Sequence, residues 1–307
     1  MRNGNGGRDQ FSRLVRVAVG GVGCLLVAGA ARADVVTFDG ASDLANNFTI
    51  NVQSGTSATT GYPGYVAVSS GGVSNSGAVD VTAGPAGTLD ATGVYNKRSF
   101  DLSAGTVTIS QMVKVQAVTN TGDRLLHLGL IDDTGATHQM NGGGAARADF
   151  ISARISPATI SGPAIGAFNF QVQSGQSDGT AATTTTTPAA GTAFNLTLGD
   201  WYLFTLNISR TATANTFSVD GSLQDFGTDG ATAGTTMTFA AQQLNTNTSD
   251  MYNDTSVFPA FRSFAAQGGA DLLDTFTATQ ASPVPEPTSL ALVGLGLGVL
   301  GVRRRRR

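Results

Sequence analysis

Glycosidic bonds are commonly cleaved by two carboxyl groups held close together, one donating a proton and the other acting as nucleophile or base. Between residues 34 and 282 the chain has nineteen Asp and no Glu for such a pair. The nearest pairs are Asp132-Asp133 and Asp271 with Asp274. Adjacent strand residues point to opposite faces, and Ile131-Asp132-Asp133-Thr134-Gly135 reads as a turn. Neither pair is expected to do acid–base work. Gly175-Gln176-Ser177-Asp178-Gly179 fits the Gly-x-Ser-x-Gly pattern of serine hydrolases. That chemistry needs a strand, a sharp turn and a helix, and here a Thr-rich stretch follows. Gly296-Leu297-Gly298-Val299-Leu300-Gly301 fits Gly-x-Gly-x-x-Gly. It lies in an apolar run with no βαβ unit, which excludes a dinucleotide site.

Metal chemistry has equally little to work with. A zinc site needs three or four convergent ligands, and the two histidines, His127 and His138, have no ligand spacing. His127 between Leu126 and Leu128 reads as a satisfied sheet histidine. The one cysteine, Cys24, lies in an N-terminal apolar segment, so no thiolate site is expected. Calcium is the one candidate cofactor, because Asp, Asn and carbonyl oxygens suit it. Asp225, Asp229 and Gly230 share one loop; Asn247, Asp250, Asn253 and Asp254 share another. Turn chemistry explains both sets as well. Sugar binding needs an aromatic platform with polar partners. Tyr62, Tyr65 and Tyr252 are the candidate glycan contacts, while Trp201 opens a strong strand and is expected to be packed.

The elements that must position these residues are strands. Val107, Ile109, Val113 and Val115 alternate with Thr106, Thr108, Ser110, Lys114 and Gln116. Phe168, Phe170 and Val172, then Phe194, Leu196 and Leu198, then Tyr202, Phe204, Leu206 and Ile208 repeat the pattern. Period two is the signature of a strand with one buried face. Leu125–Ile131 and Leu272–Thr279 are further strands, and Asp220-Gly221 between Phe217 and Leu223 predicts a hairpin turn. The Thr-rich run of residues 180–188 and the glycines of 55–64 and 142–144 read as surface loops. No long helical period exists. The expectation is all-β, an antiparallel sandwich. Nineteen Asp against two Lys and six Arg give residues 34–282 a formal charge of −11, which excludes a nucleic-acid partner.

The two ends carry addresses. Arg2, Arg8, Arg13 and Arg16 precede the apolar run of residues 17–30. Ala31-Arg32-Ala33 then fits the small-x-small cleavage rule, so 1–33 reads as a signal peptide and Asp34 as the mature start. At the other end Val284-Pro285-Glu286-Pro287 leads into the apolar run Leu290–Val302 and five arginines, Arg303–Arg307. As a helix that run would span about 20 Å, less than the hydrocarbon core. It is a short transmembrane helix suited to temporary holding, with the arginines on the cytoplasmic side.

This tail resembles the PEP-CTERM sorting signal of Gram-negative bacteria. The resemblance implies export, brief inner-membrane anchoring and processing by an exosortase. Residues 283–307 are the sorting segment, and 34–282 form one body. Asp200–Ile208 running into Thr216–Leu223, with Phe261-Arg262-Ser263-Phe264 and Leu272–Phe276, resembles concanavalin A-like (laminin-G-like) jelly rolls. Laminarinase-type glucanases of that fold use a Glu-x-Asp-x-(x)-Glu strand, and this body has no Glu to supply it. The expected function is therefore a non-enzymatic cell-surface or exopolysaccharide-matrix protein with weak glycan binding. The alternative is a secreted glycan-active hydrolase that uses aspartates.

Overall fold

The structure is a computed structural model. It describes residues 32–52, 65–81, 92–116, 124–132, 140, 149–157, 160–161, 164–165, 168–175, 181–245, 250–264 and 271–281. The expected signal peptide up to Ala31, Tyr62, His138, Asn247, the sorting motif Val284–Pro287 and the expected transmembrane helix lie outside those residues, as do the glycine loops of 55–64 and 142–144. No helix among the described residues is long and apolar enough to cross a membrane.

Numbered along the chain, eighteen strands among the described residues form three antiparallel sheets. The first runs in the order β16 (Thr236–Asn245), β15 (Thr216–Asp225), β14 (Trp201–Arg210), β6 (Val107–Lys114), β18 (Asp271–Gln280), β4 (Ala78–Val81) and β3 (Tyr65–Val68), with β1 (Arg32–Val36) also paired to β18. The second runs β12 (Ala181–Thr186), β11 (Phe168–Gly175), β8 (Phe150–Pro157), β7 (Arg124–Ile131), β17 (Phe258–Phe264), β5 (Thr92–Asn96) and β2 (Phe48–Val52). A small third sheet joins β13 (Leu196–Thr197), β10 (Ala164–Ile165) and β9 (Ile160–Ser161). The helices α1 (Asp43–Asn47) and α2 (Asp250–Asn253) are single turns.

The two large sheets pack face to face, as alternating side chains require. Phe204, Leu206 and Ile208 are fully buried, and Phe170 of the second sheet lies 6.0 Å from Phe204 and 4.6 Å from Phe239, ring to ring. Phe48 makes edge contacts with Phe261 at 5.2 Å and Phe276 at 5.1 Å. The expected strands at 107–115, 125–131, 168–172, 202–208 and 272–279 are present.

Three local expectations are corrected. Asp220-Gly221 is not a turn but the middle of β15, and the chain reverses instead at residues 211–215, where Asn215 takes φ 57°. Gly221 is there for closeness: a Cβ on it would lie 2.3 Å from the Thr205 carbonyl oxygen and 2.8 Å from the Phe239 ring. The Thr-rich run expected as a loop forms β12, paired along β11 from Phe170–Thr186 to Gly175–Ala181. β-branched threonine suits such a half-exposed edge. The expected strand 194–198 shrinks to Leu196–Thr197, because Leu198 turns and Gly199 takes φ 92°.

Candidate functional site

Each large sheet has a second face, away from the core, where polar side chains collect. On the second sheet the central residue is His127 of β7. It lies opposite Arg154 of β8 and Arg262 of β17, and Arg154 lies opposite Gln171 of β11. Arg154 Nε donates to Gln171 Oε1 at 2.5 Å. The next row holds Ser152, Gly129 and Ala260, with Gln173 beside Ser152. Leu126, Leu128 and Leu130, at the alternate positions, face the core.

This second face is nevertheless covered. His127 and Arg262 are fully buried and Arg154 is 8% exposed. Met140 packs there with Tyr95, Ile131, Phe150 and Ala260. Its carbonyl oxygen lies 3.1 Å from His127 Nδ1. A carbonyl only accepts, so Nδ1 carries the proton. His127 is a buried sheet residue whose Nδ1 is bonded to the Met140 carbonyl. Two buried arginines beside it were missed, although Arg at an alternating position of an otherwise apolar strand is a readable sign of a polar layer.

Where that face ends, three carboxyl groups gather. Asp132 closes β7 and Asp149 precedes β8; Asp149 N donates to Asp132 Oδ1 at 2.9 Å, and Asp132 N to Asp149 O at 3.2 Å. Burial, then the negative charges of Asp149 and Asp254, push the Asp132 carboxyl up to about 7. Asp254 is fixed by a turn, accepting from Ser256 N at 2.8 Å. Among the described residues no group of three or more His, Cys, Asp or Glu is placed to hold a metal ion. The candidate calcium loops show turn chemistry: Asp225 Oδ1 accepts from Gly227 N at 2.8 Å and Asp229 Oδ1 from Ala231 N at 2.9 Å.

The first sheet's second face is open. Thr279, Thr108, Asn207 and Asp220 stand side by side on β18, β6, β14 and β15. Thr108 Oγ1 donates to Asn207 Oδ1 at 2.8 Å, and Asn207 Nδ2 donates to Asp220 Oδ1 at 2.7 Å. The next row is Thr277, Ser110, Thr205, Ser222 and Thr238. All of these side chains are partly exposed. The alternation at Thr205 and Asn207 was legible in the sequence; the relay to Asp220 was hidden by reading Asp220 as a turn residue.

The aromatic candidates for glycan contact fare differently. Tyr65 is corrected: it is 2% exposed, edge-on to Phe261, and its Oη accepts from Ser263 N at 3.1 Å. Burial pushes its hydroxyl up to about 12. It opens β3 with its ring on the core side, so no sugar reaches it. Tyr252 is half-buried; its Oη donates to Thr211 O at 2.7 Å and the Arg210 guanidinium lies 4.9 Å over its ring. That stacking occupies one ring face. Trp201 is packed as expected, 1% exposed, but outside the sandwich core. It lies under Gly230, with the Lys114 ammonium 5.8 Å from its ring. Asp271 and Asp274 are buried in β18. Asp274 Oδ2 accepts from Val73 N at 2.8 Å and Ser76 Oγ at 2.9 Å, which ties down a loop.

Of the expected cleavage residues, Ala33 and Asp34 sit inside β1, which begins two residues before the expected mature start. Asn96 Nδ2 donates to Asp34 Oδ2, and Arg98 donates to the Ala33 carbonyl and lies 3.7 Å from the Asp34 carboxylate.

Among solved structures, peanut lectin is similar over 81% of this chain and 97% of its own, at 12% identity and a TM-score of 0.45. A Bauhinia forficata lectin in complex with GalNAc is similar over 83% and 100%, at 7% identity and 0.44. A family 7 alginate lyase is similar over 82% and 99%, at 14% identity and 0.40. The sandwich itself is established by this chain's own strand pairing. No curated relative matches the sequence. The PEP-CTERM protein-sorting motif matches residues 283–307. Those 25 residues make this an exported protein, processed by a membrane-bound exosortase and sorted at the membrane toward the cell surface.

Proposed function

We propose that the chain is a non-enzymatic cell-surface or exopolysaccharide-matrix protein that binds glycan weakly through the open face of its first sheet. The observation that carries this reading is the relay Thr108–Asn207–Asp220. Sugar hydroxyls both donate and accept, and amide, carboxylate and hydroxyl groups fixed by one another lose little freedom on meeting them. Trp201 and Tyr65, whose rings could stack on a sugar, are packed away. Contact is therefore polar and weak per site, and it gains strength by repetition along a polymer.

A glycan array probed with the mature body, with and without calcium, tests this. Binding that falls several-fold in Asn207→Ala and Asp220→Ala supports it. Binding indifferent to both variants removes the face from consideration.

A second reading, a glycan-active hydrolase, is favoured by one observation: Asp132 is held part-protonated near neutral pH beside Asp149. Raised carboxyl groups of this kind serve as proton donors. On the first reading, laminarin, agar and xyloglucan stay intact. Reducing-sugar release that disappears in Asp132→Asn would establish the second.

A further inference from the structure

β1 and β18 run antiparallel with Arg32 opposite Gln280, so the chain enters and leaves the sandwich at one corner. In the sequence, one apolar run, 17–30, ends just before that entry, and the other, 290–302, begins just after that exit. Residues 281–289 separate Gln280 from Leu290. Fully extended, this stretch reaches about 30 Å. Strand β18 alone is of similar length at its ten residues. A body held by its tail thus keeps this corner within its own height of the bilayer.

Charge singles out the same corner. Lys97 and Arg98 are exposed, and they follow Asn96, which bonds Asp34 of β1. The other described basic side chains of the body are withdrawn: Arg154 and Arg262 are buried, and Lys114 and Arg210 are half-buried. Arg32 is exposed as well but precedes the expected cleavage point. Asp34, paired with Arg98 and bonded by Asn96, and Asp101, bonded by Ser103, offset these two cations, so the corner is near neutral while the body as a whole is strongly negative. Asp200, Asp225 and Asp229 lie at the opposite end, around the start of β14 and the end of β15. Among the basic side chains whose burial the structure describes in this body of formal charge −11, the two exposed ones, Lys97 and Arg98, lie where the tail departs.

We infer that this corner is the bilayer-facing surface of the protein, with Lys97 and Arg98 against anionic lipid headgroups. Basic groups close to a membrane are drawn to such headgroups within a Debye length. The far end, with the loop over Trp201, then points away from the membrane. The inference rests on the tail holding the bilayer and is independent of glycan binding.

The test uses the leader-processed chain with its tail retained, isolated from cells lacking exosortase. It is reconstituted into phosphatidylcholine vesicles with and without phosphatidylglycerol. Cys24 is the only cysteine, so a leader-processed chain takes a single fluorophore at Ser103→Cys near the corner or at Ala233→Cys at the far end. Flotation confirms tail insertion in every variant, and thermal melts confirm folding. A lipid-borne quencher is expected to quench the label at 103 several-fold more than the label at 233 in phosphatidylglycerol vesicles. That difference should at least halve without phosphatidylglycerol, or in a Lys97→Gln/Arg98→Gln chain. Equal or reversed quenching overturns the inference, as does a difference that neither change reduces.

Discussion

Asp132 is a residue whose charge state departs from habit toward the physiological range. Its carboxyl is raised to about 7 by burial and by Asp149 and Asp254, against about 3.9 in an unfolded chain. The folded state therefore holds a proton that the unfolded state has lost. The stability this lends is fully present below about pH 4 and disappears as pH rises through about 7. Asp132→Asn keeps an acceptor for Asp149 N and carries no charge. The variant should melt at a higher temperature than the parent at pH 8, and its melting temperature should be flatter between pH 4 and 7. Gln111 is a second residue out of keeping with its place. It is fully buried, opposite Phe204 and Phe276, and among the described residues neither its amide nitrogen nor its oxygen has a partner. An unsatisfied buried amide costs about 1–3 kcal/mol. Gln111→Met should raise the denaturation free energy by an amount of that order, read from urea melts.

At the scale of elements, alternation was the legible part. Phe204, Leu206 and Ile208 point inward because period two leaves them no other face to share. Turns were less legible, because an Asp-Gly pair has two uses. It supplies positive φ in a hairpin, or it supplies a missing side chain where strands crowd, and Gly221 is the second case. A Cβ there meets backbone, which cannot swing aside. Gly221→Ala should destabilise the sandwich by about 1–3 kcal/mol, with the loss visible in a urea melt. The cover over the polar layer of Arg154, His127 and Arg262 was illegible for a different reason. A strand's own sequence gives the spacing of its side chains, but what lies over the far face, here Met140, comes from outside the strands, in the connection between β7 and β8.

For the whole molecule, the destination was plain from the sequence because sorting signals are linear, whereas a binding face is assembled from strands far apart. Thr108, Asn207 and Asp220 meet only through the order β6–β14–β15. Mass spectrometry of the protein taken from its native surface should show a chain beginning at Asp34 and ending near Pro285–Pro287. Leu290–Arg307 found on most molecules would make the tail a lasting anchor.

Trp201 is the only tryptophan of the chain, sealed beneath Gly230 with a lysine ammonium over its ring. The protein thus carries its own optical reporter. Excitation at the red edge of protein absorbance sees a single indole, and a sheltered indole emits to the blue and resists soluble quenchers. Any event that lifts the loop of residues 227–230 should shift that emission without an added label, and should do so before the aromatic core opens.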